Sequence, residues 1–166
     1  MDGAAALALG GVLLVGACGG SEDRATQTEA TSNTQRHNER VVIRDLLTIA
    51  ATAGAEPIAT GKVLQGSVLG SAPFCVGGTL RDTHASRDPA MKRYLIDRTI
   101  TCSDGTVRVG LTPQVPPQGL TQTGSWTIVS GTGAFDRLHG GGKMEVKNDP
   151  DPNAPAHETL TGTATR

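Results

Sequence analysis

Apolar and polar positions divide the chain into three stretches of different pattern. Residues 4–17 form an apolar run without a charge, residues 19–40 contain no Val, Ile, Leu, Met or aromatic side chain, and from Val41 onward short apolar segments alternate with turn residues. The third stretch carries the fold. Val107, Val109 and Leu111 fall on one face of a period-two pattern, Met144 and Val146 sit between Lys143, Glu145 and Lys147, and Leu160 and Ala164 sit among threonines. That is the repeat of half-buried strands, not of helices. It predicts strands at 41–52, 62–69, 75–84, 93–102, 106–112, 123–130, 142–148 and 157–165. The first is ambiguous, because Val41-Val42-Ile43-Arg44-Asp45-Leu46-Leu47 suits the start of a helix equally well.

The turns are clearer. Ser103-Asp104-Gly105 reads as a tight hairpin turn, and 113–119 and 149–155 each hold three prolines. Eight antiparallel strands in one domain favour closure, which removes exposed edges, so the expected fold is all-β: a single antiparallel eight-stranded barrel over residues 41–166. The 166 residues leave room for one compact domain and no second. With 22 glycines but only two Phe, one Trp and one Tyr, the core must be built from aliphatic residues. Fifteen basic and sixteen acidic side chains nearly cancel, so no field is available to attract nucleic acid.

The apolar run at 4–17 is about as long as the apolar part of a secretory signal and too short to cross a bilayer as a helix. It ends in Val15-Gly16-Ala17-Cys18, which resembles the lipobox of bacterial lipoproteins: a branched aliphatic residue, two small residues, then the cysteine. The resemblance implies a signal peptide at 1–17, cleavage before Cys18 and a diacylglycerol thioether on its sulfur. The product would be lipid-anchored in a membrane and face away from the cytoplasm. Two or more acyl chains, at roughly 0.8 kcal/mol per buried CH₂, make a firm anchor. A signal should open with Lys or Arg, whereas Asp2 is the only charged side chain before Cys18 and Arg24 is the first basic one, which suggests that synthesis begins upstream of Met1. Residues 18–40 cannot bury enough apolar surface to offset their ordering entropy. They are expected to be a disordered tether, about 22 residues reaching on the order of 25 Å, with His37 solvated.

The most distinctive segment is residues 124–142, which read as a strand, a Gly131-Thr132-Gly133-Ala134-Phe135 corner, and a second strand entered through Gly140-Gly141-Gly142. Gly131 and Gly133 permit backbone angles that side chains forbid, and Trp126 and Phe135 are then placed to plug a barrel end. The segment resembles the signature of the allene oxide cyclase and dirigent barrel superfamily, as do Phe74-Cys75-Val76-Gly77-Gly78-Thr79 and Asp104-Gly105-Thr106, with coverage from Gly61 to Arg166. The resemblance implies a calycin-like or allene oxide cyclase-like barrel around an apolar cavity. Only the structural positions Gly131, Gly133, Phe135 and Gly140 match, so the fold transfers and the relatives' chemistry does not.

Two cysteines remain beside Cys18. An exported domain meets oxidising conditions, so Cys75 and Cys102 are expected to form a disulfide. If residues 85–92 form a loop and His84 faces Arg93, the register sets Cys75 directly opposite Cys102 and Leu80 opposite Asp97.

Candidate chemistry is sparse. Asp82, His84, Tyr94 and Arg98 concentrate on one predicted hairpin, where an acid, an imidazole and a phenol near a barrel mouth can orient a ligand. The alternative is a charged hairpin end exposed to water. His84, His139 and His157 show no metal-ligand spacing, and Ser125 and Ser130 lack a Gly-x-Ser-x-Gly elbow. No metal, cofactor or catalytic residue is expected. The expected function is a membrane-tethered binding or interaction module for a small apolar ligand or an envelope partner. The alternative is a cyclase or isomerase using the same cavity, which would need two or more ionisable groups converging inside the barrel.

Overall fold

The computed structural model describes residues 37–166 apart from 52 and 116. The signal, Cys18 and all but the last four residues of the expected tether lie outside the described residues. Ten strands follow one another: β1 (Glu39–Ala50), β2 (Ile58–Val63), β3 (Val68–Leu69), β4 (Ala72–Pro73), β5 (Thr79–Asp88), β6 (Arg93–Cys102), β7 (Gly105–Pro113), β8 (Thr121–Gly131), β9 (His139–Lys147) and β10 (Ala156–Thr165). Eight of them close in the order β1-β2-β5-β6-β7-β8-β9-β10, every pair antiparallel, with β10 returning to β1 from Glu39↔Ala164 to Leu47↔Ala156. The expected eight-stranded barrel is therefore present. Strands β3 and β4 form a small hairpin laid along the start of β1.

That hairpin explains the ambiguous first segment. Val41, Ile43, Asp45 and Leu47 point into the barrel, while Val42 points outward and is buried where Val68 pairs with it. A strand covered on both faces loses its alternation and reads like the start of a helix. The strand expected at 62–69 is two different elements. The ladder ends at Val63, and the chain then leaves the barrel wall through Gly66 and Gly70, both at positive φ, with the buried Ser67 hydroxyl donating to the Leu64 carbonyl at 2.9 Å. The strand expected at 75–84 begins at Thr79 and runs on to Asp88, so half of the expected loop at 85–92 is strand.

Inward positions make a continuous aliphatic core that includes Ile43, Leu80, Ile100, Val107, Val109, Leu111, Met144 and Leu160. One end of the barrel is sealed by Leu69, Phe74, Phe135 and Leu138, the two phenyl rings packed edge to face at 5.4 Å. Phe135 reaches this plug through a single 3-10 turn at Gly133–Phe135. Gly133 has φ +61°, and a Cβ on Gly131 would collide with the Phe135 carbonyl, so both glycines of the corner are needed for the chain to fold back. Gly140 lies just beyond, where β9 pairs with Ala164. Trp126 does not join the plug as expected. It lies midway along β8, inside the barrel, and donates its indole N–H to the Thr161 carbonyl at 3.1 Å.

Cys75 and Cys102 are bridged, with Cα atoms 5.1 Å apart, but the register differs from the expected one. Leu80 pairs with Ile100 instead of Asp97, and His84 pairs with Asp97 instead of Arg93. Because β5 runs to Asp88, the connecting turn is short, and every partner moves by about three residues. Continued past Thr79↔Thr101, the observed register brings Gly78, not Cys75, opposite Cys102. A tight turn, closed by the Gly78 N–H on the Cys75 carbonyl at 2.8 Å, folds Cys75 back beside Gly78. A Cβ on Gly78 would collide with the Cys75 sulfur, so the missing side chain makes room for the bridge.

Candidate functional site

The end of the barrel opposite the aromatic plug is open. At this end, where β1 leads into β2, β5 into β6, β7 into β8 and β9 into β10, lies a cavity of about 150 Å³. Its rim includes Ile49, Pro57, Tyr94, Pro113 and Gln122; its walls are Leu47, Ala59, Ile96, Leu111, Met144 and Val146; its floor is Asp82, Arg98 and Glu158.

The floor is built by strand geometry. Asp82 and Arg98 are direct partners across β5 and β6, both facing inward, and the Arg98 Nε–H donates to Asp82 Oδ1 at 2.6 Å. The Ala59 backbone N–H donates to Asp82 Oδ2 at 2.9 Å, so both oxygens of this carboxylate are occupied. Arg98 also donates from its Nη1 to Glu158 Oε2. Strands β6 and β10 lie four places apart in either direction round the closed sheet, so this second ion pair crosses the lumen from one wall to the opposite one. Beneath it, Val41, Ile43, Val107, Val109 and Trp126 enclose a void of only about 10 Å³. The charged bridge thus separates an open cavity from a filled core.

A fourth ionisable group, Asp45, stands beside the bridge, directly opposite Glu158 in the β1–β10 ladder. Asp45 is fully buried, and Asp82, Arg98 and Glu158 are each 2% exposed. Neither Asp45 oxygen nor Glu158 Oε1 has a hydrogen-bond donor facing it from any other side chain or from the backbone. Burial, and then the neighbouring Glu158 charge, push Asp45 up to about 8. Burial also raises Glu158. For Arg98 burial works against the charge but is outweighed by Glu158 and Asp82, so the guanidinium stays protonated. At neutral pH Asp45 is therefore mostly protonated, and the Glu158 carboxyl beside it also holds a proton more tightly than usual.

Of the four residues singled out on the predicted hairpin, the structure brings three to the cavity: Asp82 and Arg98 at the floor and Tyr94 at the rim. His84 is not among them. A register shift between Asp82 and His84 turns the imidazole to the outer surface, against Asp97 in a separate shallow groove with Thr112 and Ser125. Sequence reasoning missed Asp45 and Glu158. Each interrupts an inward-facing apolar series, Val41-Ile43-Asp45-Leu47 and Ala156-Glu158-Leu160, and that is the signal that exposes them. Among the described residues no three His, Cys, Asp or Glu side chains are placed to hold a metal ion. Comparison with protein-family models, with curated proteins and with solved structures finds no match to this chain.

Proposed function

We propose that this chain is an exported lipoprotein, anchored through Cys18, whose barrel binds a small molecule with an apolar body and a polar end. The observation that carries the reading is the open cavity with aliphatic walls and a charged, buried floor. Open apolar cavities with a few convergent polar groups are where proteins hold small ligands. A void of about 150 Å³ accepts one six-membered ring or a short alkyl chain, so a longer ligand would project past Ile49 and Tyr94. The leader pattern supports the anchor, and residues 124–142 support kinship with the allene oxide cyclase and dirigent barrel superfamily.

A second reading, a cyclase or isomerase, is favoured by one observation: Asp82, Arg98, Glu158 and Asp45 converge inside the barrel. Binding alone is preferred because Arg98 and Asp82 are already committed to one another, and among the described residues no Ser, Thr, Cys, Lys or His lines the cavity. Native mass spectrometry of protein purified from its host membrane tests both parts. A diacylated product beginning at Cys18 with a co-purifying small molecule is expected. A soluble product retaining residues 1–17 refutes the anchor, and an apo mass that an envelope lipid extract does not change refutes the cavity reading.

A further inference from the structure

Resting on the ligand-binding reading above, we propose that the molecule held in the cavity carries a protonated amine, which docks against Glu158 at the floor. The first argument is a count of charges. Three carboxyl groups, Asp45, Asp82 and Glu158, share a buried site with one guanidinium, Arg98. Even with one proton between Asp45 and Glu158 the site is short of one positive charge, and an uncompensated charge in a closed interior is costly. A cationic ligand removes that deficit.

The second argument is a count of hydrogen bonds. Both oxygens of Asp82 are occupied, by Arg98 and by the Ala59 N–H, whereas the buried Asp45 oxygens and Glu158 Oε1 have no donor but the one proton between the two carboxyl groups. A primary ammonium brings three N–H donors to one point. The vacancy therefore lies on the Glu158 side of the floor, and Glu158 lines the cavity.

The alternatives fit less well. A bare metal ion lacks a converging ligand set among the described residues and would leave the aliphatic walls unused. An anionic head would meet Glu158 and Asp82, while the one cation present is already engaged by both. Among the described residues that line the rim, the polar side chains are Tyr94 and Gln122, and neither carries a positive charge that would repel an amine. The ligand class is thus an amine on a ring or short alkyl body.

Calorimetric titration of the full chain at pH 7 tests this with benzylamine and hexylamine, their matched alcohols and their matched carboxylates. The amines are expected to bind about tenfold or more tightly than the alcohols, because a hydrogen bond to a charged partner outweighs a neutral one. The carboxylates should not bind. Repetition in buffers of different ionisation enthalpy should show no proton released per amine bound, because the ammonium supplies the missing positive charge while the proton between Asp45 and Glu158 stays in place. Glu158→Gln should equalise amine and alcohol. If that variant fails to fold, Asp45→Asn serves: Asp82, Arg98 and Glu158 still leave one negative charge, so the amine preference should persist, and its loss overturns docking at Glu158. Equal affinity for amines and alcohols, or a preference for carboxylates, overturns the amine inference and leaves the cavity reading standing. Failure of all three classes to bind overturns both.

Discussion

Replacing Cys75 and Cys102 together by Ala should destabilise the barrel by about a third of its total stability. The disulfide closes a segment with a sequence separation of 27. In the chain-entropy description, a loop of that length lowers the entropy of the unfolded chain by about 12 cal/mol/K, or about 3.5 kcal/mol at room temperature. Both cysteines also pack against the core, so losing their sulfur contacts adds to the effect. With an unfolding entropy of about 2.1 cal/mol/K per residue, a domain of roughly 130 residues should lose about 12 °C in Tm. The assay is urea and thermal unfolding of wild type, both single variants and the double variant, with and without reductant. Each single variant should match the double, because either one removes the bridge, and reduced wild type should fall to the same stability. A loss below about 1 kcal/mol, or single effects that add to give the double, would refute the reasoning.

Other outcomes follow from the cavity floor and the closing corner. Asp45 has a folded pKa of about 8 against an ordinary value of 3.8, so its contribution to stability is fully present below about pH 4 and is lost as pH rises to about 8. Asp45→Asn should therefore gain on wild type by up to about 1.4 kcal/mol per pH unit across that window, and parallel stability curves from pH 4 to 8 would contradict the buried proton. Arg98→Met removes the cation that three buried carboxyl groups face and should cost about 3–5 kcal/mol at pH 7; a loss below about 1 kcal/mol in urea unfolding would sink the charge argument. Gly133→Ala should cost about 1 kcal/mol or more because φ there is +61°, and chemical denaturation showing full tolerance would mean that the corner relaxes freely.

The barrel was legible in the sequence where one face of a strand meets solvent. In β7 and β9 the alternation of Val107, Val109 and Leu111, and of Met144 and Val146, named the inward face directly. It was illegible where a second layer covers the outside, as Val68 does for Val42, since burial on both faces erases the period of two. The cysteine pairing was legible and the register was not. The bridge depends on a turn at 75–78 and on the space left at Gly78, and alternation records neither. The cavity floor was half visible. Asp82 and Arg98 stood out because they are neighbours across one hairpin, whereas Glu158 comes from the opposite wall, a relation that only closure of the barrel creates.

The charged bridge across the lumen also acts as an adjustable stop. Below Arg98 on β6 the next inward residue is Ile100, and above Leu160 on β10 the next is Glu158. Two residues along a strand is a step of about 6.6 Å, so the depth of the well is set by the layer in which the ion pair is written into the sequence. Exchanging charged and aliphatic residues between adjacent layers would lengthen or shorten the well while every backbone ladder kept its register. One scaffold of this kind can be graded to molecules of different length by a few paired substitutions, with the aromatic plug and the disulfide left untouched.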